Sequence, residues 1–372
     1  MKLPVLPPVE PMLARLTDDL PVGWWYEPKW DGFRSLVFRA GEAVQIESRN
    51  NRPMARYFPE VVAAIKTFLS ERCVVDAEIV VAGPDDGKLD FFSLQQRLHP
   101  AASRVDLLAS QTPATLILFD LLALDDQDLR PAPFRERRRL LESLLSRPSP
   151  SIFLTPLTED VAVAREWFVA FRGAGVDGVI AKHPDSAYRP GKRIMAKMKY
   201  DRTADCVVVG YRTHKGDREA VGSLLLAVFG DESDPAAEWE SMFGGLVPIG
   251  VAASFPAARR KELFTELAPY VIEMDDHPWA GAAHQAAAYP GSRWNPEKDL
   301  SFTPLRPELV AEVRFNQLDR GHLRHPAQFL RWRPDRDPRS CRFQQLEAVS
   351  PLRLADILAT EYPSHPRTPG SR

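Results

Sequence analysis

The six residues Lys29-Trp30-Asp31-Gly32-Phe33-Arg34 decide how this chain is read. They join two segments, Trp24–Lys29 and Arg34–Arg39, that alternate or run apolar and so read as consecutive strands. Asp31-Gly32 is the tight turn between them. A lysine ending one strand and an arginine opening the next are thereby held at the mouth of a cleft. Lysine attacks phosphorus only as the neutral amine, and its reference pKa is about 10.4. Neighbouring cations or burial are expected to depress that value. Taken alone, the same residues also describe an Asp-Gly hairpin with solvated charges, so the rest of the chain must choose.

Working outward, Val44–Ser48 reads as a third strand and Tyr57–Leu69 as a helix, with Phe58, Val61, Val62, Ile65 and Phe68 at helical spacing. Cys73–Ala82 is an apolar strand interrupted by Asp76 and Glu78. Two carboxylates at i and i+2 share a strand face, and on a buried strand they need a metal, a ribose or a cation. Thr115–Leu124 is another apolar strand and contains Phe119-Asp120, where the local alternatives are a base-stacking ring or a core aromatic beside a turn-capping Asp. Phe134–Leu145 and Val161–Arg172 read as helices. In Asp177–Lys182 a carboxylate opens an apolar strand and a lysine closes it. Ile194–Met198 reads as a strand, and Lys197 and Lys199, at its end, share one strand face, either as a phosphate clamp or as a solvated edge.

After Asp201 the pattern changes. Ala204–Arg212, Gly222–Phe229, Trp239–Leu246, Val310–Phe315 and Gln328–Trp332 read as strands and Ala257–Leu267 as a helix, which suggests a small β-barrel. The stretch Asp275–Leu305, rich in Pro, Gly and Ala, is expected as a surface excursion. The division expected is 1–200, 201–345, and a partly disordered tail 346–372 whose last residues are rich in Pro and Ser.

Composition limits what this arrangement serves. The formal net charge is −2, so any polyanion site must be a local patch. Basic residues cluster in 182–202 and again in 314–342. Of the 48 basic residues 11 are lysines and 37 arginines, so lysine is the rarer choice, and four of the 11 fall between Lys182 and Lys199. The three cysteines, Cys73, Cys206 and Cys341, have no CxxC spacing and read as reduced thiols, mostly in strands, in a cytoplasmic protein. The Pro-rich N-terminus lacks the apolar run of a secretory signal, and Leu116–Leu124 is too short to span a bilayer.

Together these segments resemble the motifs of the covalent nucleotidyltransferases, in that family's order. KWDGFR resembles motif I, Glu47-Ser48-Arg49-Asn50 the short arginine motif, DAEIVV motif III, LILFDLL motif IIIa, DGVIAK motif IV and KMKY motif V. Arg331-Trp332-Arg333-Pro334-Asp335-Arg336 resembles motif VI. RPGKR, RTADCVVVGYR, PLRPELVAEVRF and RHPAQFLRWRPD bring the chain nearest to bacterial ATP-dependent DNA ligases of the C type and to the ligase domain of the bacterial end-joining ligase D. The resemblance runs from about Pro11 to Pro338. Motif IV opens with Asp177 where the family usually has Glu, and motif VI closes with Arg336 where it often has Lys; neither change removes a charge.

The resemblance implies an α+β nucleotidyltransferase (adenylation) domain followed by an OB-fold domain. It implies that Lys29 takes AMP from ATP and that the enzyme seals nicks in duplex DNA during DNA repair. Mg2+ or Mn2+ would sit with Glu78 and Asp177. Glu27 would help define the adenine pocket and Phe119 would stack on the base. Arg34 and Arg49 would hold sugar and phosphate, or the 5′ phosphate of the nick. Lys197 and Lys199 would bind the α-phosphate, and Arg333, Asp335 and Arg336 would orient the pyrophosphate. A monomer is expected, nucleoid-associated in the cytoplasm, with nicked DNA and other repair proteins as partners. An mRNA-capping guanylyltransferase or an RNA ligase would share the lysine chemistry, and a module that had lost catalysis would share the fold. The C-terminal segments argue against the first two, and intact Lys29, Glu78, Lys197 and Lys199 argue against the third.

Overall fold

The computed structural model describes residues 2–83, 87–98, 101–145, 149–172, 174–200, 202–230, 245–280, 301–316, 318–319, 321–346 and 352–359. The chain divides into two compact units, Met1–Tyr200 with Ala348–Arg372, and Asp201–Glu347.

The first unit is α+β and contains two sheets. The larger orders its strands Ala43–Ser48, Phe33–Ala40, Arg72–Val81, Ala114–Leu124 and Gln127–Asp128, with Ile152–Leu154 added parallel to Ala114–Leu124. The smaller orders Leu13–Leu16, Arg193–Lys199, Gly178–Lys182 and Trp25–Pro28. The Arg72–Val81 strand shows why carboxylates reach the site. Its period of two sends Cys73, Val75, Ala77, Ile79 and Val81 into one core, with helix Pro59–Phe68 packed there through Val61, Ala64 and Ile65. Val74, on the opposite face, joins Leu36, Phe38 and Leu122 of the larger sheet to Ile180 and Met195 of the smaller one, and to Met12 just before its first strand. Asp76 and Glu78 share the face of Val74, so they project into the space between the sheets.

Two glycines make the close approaches that complete this space. A Cβ on Gly32 would lie 2.2 Å from the Ile79 carbonyl, so the Asp31-Gly32 turn rests directly on the central strand. Gly178 has φ +135° and would place a Cβ 2.0 Å from the Met198 carbonyl. Its own carbonyl accepts the Lys29 N–H at 2.8 Å, and the Asp177 N–H donates to the Lys29 carbonyl at 2.8 Å.

The second unit is an antiparallel sheet in the order Leu246–Ala252, Asp217–Phe229, Arg202–His214, Thr303–Phe315, Gln328–Trp332. A bridge from Ala252 to Ala327 joins the first strand to the start of the last and closes the sheet on itself. The interior is filled by Cys206, Val208, Leu224, Leu226, Ile249 and Val313, and helix Ala257–Leu267 packs there through Leu263 and Leu267. The strand expected at Trp239–Leu246 lies largely outside the described residues; the strand observed begins at Leu246 and runs to Ala252. The Asp275–Leu305 stretch is not a surface excursion at its described ends: His277, Trp279 and Leu305 are buried, because Trp279 packs on the outer face of the barrel and Leu305 in its interior. Residues 281–300 of that stretch, and the Pro/Ser-rich end of the chain, lie outside the described residues.

Leu13–Leu16, Phe91–Gln96, Ala102–Gln111 and Ile152–Leu154 add a strand, two helices and a strand that periodicity alone did not mark. Within the segment read as a tail, helix Leu354–Leu358 buries Leu354 and Ile357 against Trp167, Phe171 and Val80 of the first unit. All three cysteines are buried and free. Among the described residues no helix is long and apolar enough to cross a membrane.

Candidate active site

A cavity of about 460 Å³ opens in the first unit, a size suited to a nucleotide. Glu27, Lys29, Arg34, Arg49, Glu78, Phe119 and Lys197 all line it. Asp177 and Lys199 join it through Lys29 rather than as wall residues. The Lys29 Nζ lies 2.5 Å from Asp177 Oδ2, and the Lys199 Nζ lies 2.8 Å from the same oxygen. Burial alone would raise the Asp177 pKa, but Lys29 and Lys199 outweigh it and hold the carboxyl below its ordinary value. The backbone clamp between Lys29 and Asp177–Gly178 accounts for this meeting across 148 positions of sequence. Burial, with Lys199 and Lys29 beside it, lowers the Lys197 pKa.

The two carboxylates of the central strand have separate partners. Arg34 donates to both oxygens of Asp76, at 3.0 and 2.6 Å, and the Tyr188 hydroxyl donates to Oδ2 at 2.6 Å. Asp76 thus has the cation that its burial required, and it fixes Arg34 at the cavity wall. Glu78 accepts the Gly32 N–H at 3.1 Å. Burial pushes the Glu78 carboxyl up to about 8, against the pull of Lys29 and Arg34. Phe119 turns its ring to the cavity, while Asp120, next along the strand, forms a buried bidentate pair with Arg137 at 2.7 and 3.0 Å. Asp120 is therefore no turn cap: it neutralises a fully buried guanidinium.

Among the cavity residues to which sequence reasoning gave no role, three stand out. Lys182 closes the DGVIAK segment and pairs with Glu27 at 2.8 Å. Arg193 and Met195 line the cavity from the strand that also carries Lys197. Lys182 had a signal, since it is a lysine in an arginine-rich chain on a strand otherwise apolar. Arg333, Asp335 and Arg336 lie in the second unit. Arg333 pairs with Asp335 at 2.8 Å and with Asp205 at 3.1 Å, and Arg336 reaches Asp205 at 3.2 Å. The hydrogen bond from Arg333 holds the Asp335 carboxyl down to about 2.

A strand-end lysine at the mouth of a nucleotide-sized cavity between two sheets, followed in the chain by a closed five-stranded barrel, defines a nucleotidyltransferase domain joined to an OB-fold domain. Residues 11–199 match the ATP dependent DNA ligase domain, and residues 217–336 match the ATP dependent DNA ligase C terminal region. The chain is 55% identical over 356 residues to DNA ligase C2 of Mycolicibacterium smegmatis, covering 94% of this chain and 97% of that protein. It is 52% identical over 367 residues to DNA ligase C of Mycobacterium tuberculosis, covering 96% and 99%. A solved Lig E DNA ligase shares the fold, with a TM-score of 0.54 at 17% identity over 87% of this chain and 98% of that one. The chain belongs to the ATP-dependent DNA ligases. These matches set aside the capping-enzyme and RNA-ligase readings.

Proposed function

We propose that the enzyme seals 3′-hydroxyl/5′-phosphate nicks in duplex DNA through a lysyl-AMP intermediate on Lys29. The observation that carries this reading is the placement of Lys29 at the cavity wall, ion-paired at 2.5 Å to a carboxylate that it shares with Lys199. An ion-paired ammonium has no lone pair, so attack requires that contact to open and the proton to leave. Lys29 nitrogen then bonds to the α-phosphorus and the bond to pyrophosphate breaks. The AMP passes to the 5′ phosphate of the nick, and the 3′ hydroxyl displaces it to form the phosphodiester.

Lys197 and Lys199 hold the α-phosphate. Arg34, fixed by Asp76, and Arg49 hold sugar and phosphate, or the 5′ phosphate of the nick. Phe119 stacks on the base, and Glu27 borders the adenine. Arg333, Asp335 and Arg336 orient the leaving pyrophosphate. Glu78 and Asp177 fit a hard divalent cation such as Mg2+ or Mn2+: Glu78 is a half-buried carboxyl at the cavity wall, and two carboxylates with water and substrate phosphates would complete the oxygen shell that Mg2+ prefers. Among the described residues no group of three or more acidic, His or Cys side chains is placed to hold a metal ion, so water and the phosphates would complete that shell. The cation supplies neutralisation of charge on the phosphates. The enzyme acts as a monomer on nicked DNA in repair, associated with the nucleoid, alongside other repair proteins.

The test is covalent labelling with ATP radioactive at the α-phosphate, followed by denaturing electrophoresis. Lys29→Ala should abolish the labelled band, and Lys29→Arg should not restore it, because a guanidinium stays protonated. An acid-labile AMP adduct persisting in Lys29→Ala would mean that another lysine is the nucleophile.

A further inference from the structure

The segment between strands Gly178–Lys182 and Arg193–Lys199 carries a buried tyrosine that the chemistry above does not call on. Tyr188 is 2% exposed and shares an apolar cluster with Leu36, Phe38 and Val74 of the larger sheet and Met195 of the smaller one. Its backbone N–H donates to the Arg130 carbonyl at 2.8 Å, so backbone and ring are both held. Its hydroxyl is fully used. The oxygen accepts the Met12 N–H at 3.0 Å, and its single proton is directed to Asp76 Oδ2 at 2.6 Å.

Asp76 is one of two carboxylates that compete for Arg34. Arg34 stands directly across from Glu78 on the neighbouring strand, and Asp76 lies two residues further on, on the same face. A side chain as long as arginine reaches either position. The diagonal one takes it. Arg34 Nε and Nη2 donate to Asp76 Oδ1 and Oδ2 at 3.0 and 2.6 Å, while Glu78 accepts the Gly32 N–H at 3.1 Å.

A two-point pair of this kind needs the carboxylate and the guanidinium fork to face each other in register. The Tyr188 hydroxyl pins one oxygen of Asp76 from the side away from Arg34's strand end, and so fixes the carboxylate for that fork. Neither Asp76 nor Tyr188 lines the cavity, whereas Arg34 does, with its Cζ 5.3 Å from the Phe119 ring centre. The place of Arg34 at the wall is thus the last link of a chain of hydrogen bonds that begins at the Met12 backbone.

We propose that Tyr188 is a positioning residue: through Asp76 it holds the Arg34 guanidinium at the cavity wall and off Glu78, so that Arg34 and Glu78 meet ligand as separate groups. The inference rests on the role proposed above for Arg34.

The experiment is a double-mutant cycle between Tyr188 and Arg34 in the full chain. Formation of the AMP adduct from α-labelled ATP and sealing of a nick that already carries AMP are measured separately, each for kcat and KM. Tyr188→Phe keeps the ring and removes only the hydroxyl. It should slow whichever step Arg34→Ala slows most, by about tenfold, the size of one hydrogen bond to a charged group. In the Arg34→Ala background the same change should cost less than about twofold, since the side chain it positions is gone. Asp76→Asn should repeat this pattern and serves where Tyr188→Phe lowers the yield of folded protein. Arg34→Gln is the second neutral background for the same purpose. Equal losses in both backgrounds overturn the proposal, because a hydroxyl that only supports the fold is indifferent to Arg34. Undiminished activity of Tyr188→Phe overturns it too, as does an Arg34→Ala protein unimpaired in both steps. Absence of any adduct from the wild type would instead remove the Lys29 reading, and the cycle is then read on the nick that already carries AMP.

Discussion

At the scale of single residues, the first unit buries several charges in matched pairs. Arg137 and Asp120 are 0% and 1% exposed, and they complete each other with two hydrogen bonds. Breaking such a pair from one side strands the other charge in the core, at a typical cost of about 3–5 kcal/mol. Asp120→Ala should therefore lower thermal stability markedly, while Asp120→Leu combined with Arg137→Met should recover much of the loss. A double variant no more stable than the single one would show that the pair shapes the Phe119 strand in a way apolar packing cannot replace. Asp76 differs, because its partner Arg34 stays at the cavity wall and retains 19% side-chain exposure. The same physical rule, a guanidinium set against a buried carboxylate, thus gives a core pair in one case and a ligand-facing arginine in the other.

At the scale of elements, the barrel unit carries its own acid sensitivity. His277 is buried against Trp279 and Phe302. Its Nδ1 accepts the Trp279 N–H at 3.2 Å, so its Nε2 carries the proton and donates to the Val209 carbonyl at 2.9 Å. Burial lowers its pKa, although the bond to Val209 favours the charged form. A histidine whose folded pKa lies below its unfolded value is stable while neutral, so its contribution is intact above about pH 6.5 and is lost as pH falls through the folded value. Melting temperature should drop more steeply from pH 7.5 to 5.5 in the wild type than in His277→Gln. Parallel curves would show that the protonation falls elsewhere. In the same unit the Pro, Gly and Ala content of Asp275–Leu305 predicts a surface excursion, yet the apolar contacts of Trp279 and Leu305 outweigh composition at its two described ends.

At the scale of the whole molecule, the chain leaves the first unit after Tyr200 and returns to it with Leu354–Leu358. That helix has only five residues, too few to persist alone, so it exists through the burial of Leu354 and Ile357. Ile357→Asp places a charge at a fully buried position. It should lower the melting temperature of the first unit by several degrees, since each 1 kcal/mol lost is worth about 2–4 °C in a unit of this size. An unchanged melting curve would mean that the segment contributes nothing to that core. The roles proposed for the second unit make a separate prediction. Arg333→Ala and Arg336→Ala should depress formation of the enzyme–AMP adduct by about tenfold or more, as expected for lost charge-assisted contacts. Sealing of a nick that already carries AMP should stay closer to wild type. Equal losses in both assays would assign these arginines to DNA contact or to folding.

Strand period, turn chemistry and charge placement are local properties, and they determined a good deal. They marked the Asp-Gly turn after Lys29, the carboxylates on one face of the Arg72–Val81 strand, and the paired lysines 197 and 199. Partner choice is not local. That Asp177 meets Lys29 follows from the backbone bonds between two distant strands, and although the register sets Arg34 directly across from Glu78, its guanidinium is taken by Asp76 on the diagonal. Lys182 reads in sequence as one more strand-end cation. Only the packing of helix Phe134–Leu144 against its sheet brings Arg138 and Phe134 to it and to Glu27, because a charge in a core is defined by what surrounds it rather than by where it stands in the chain.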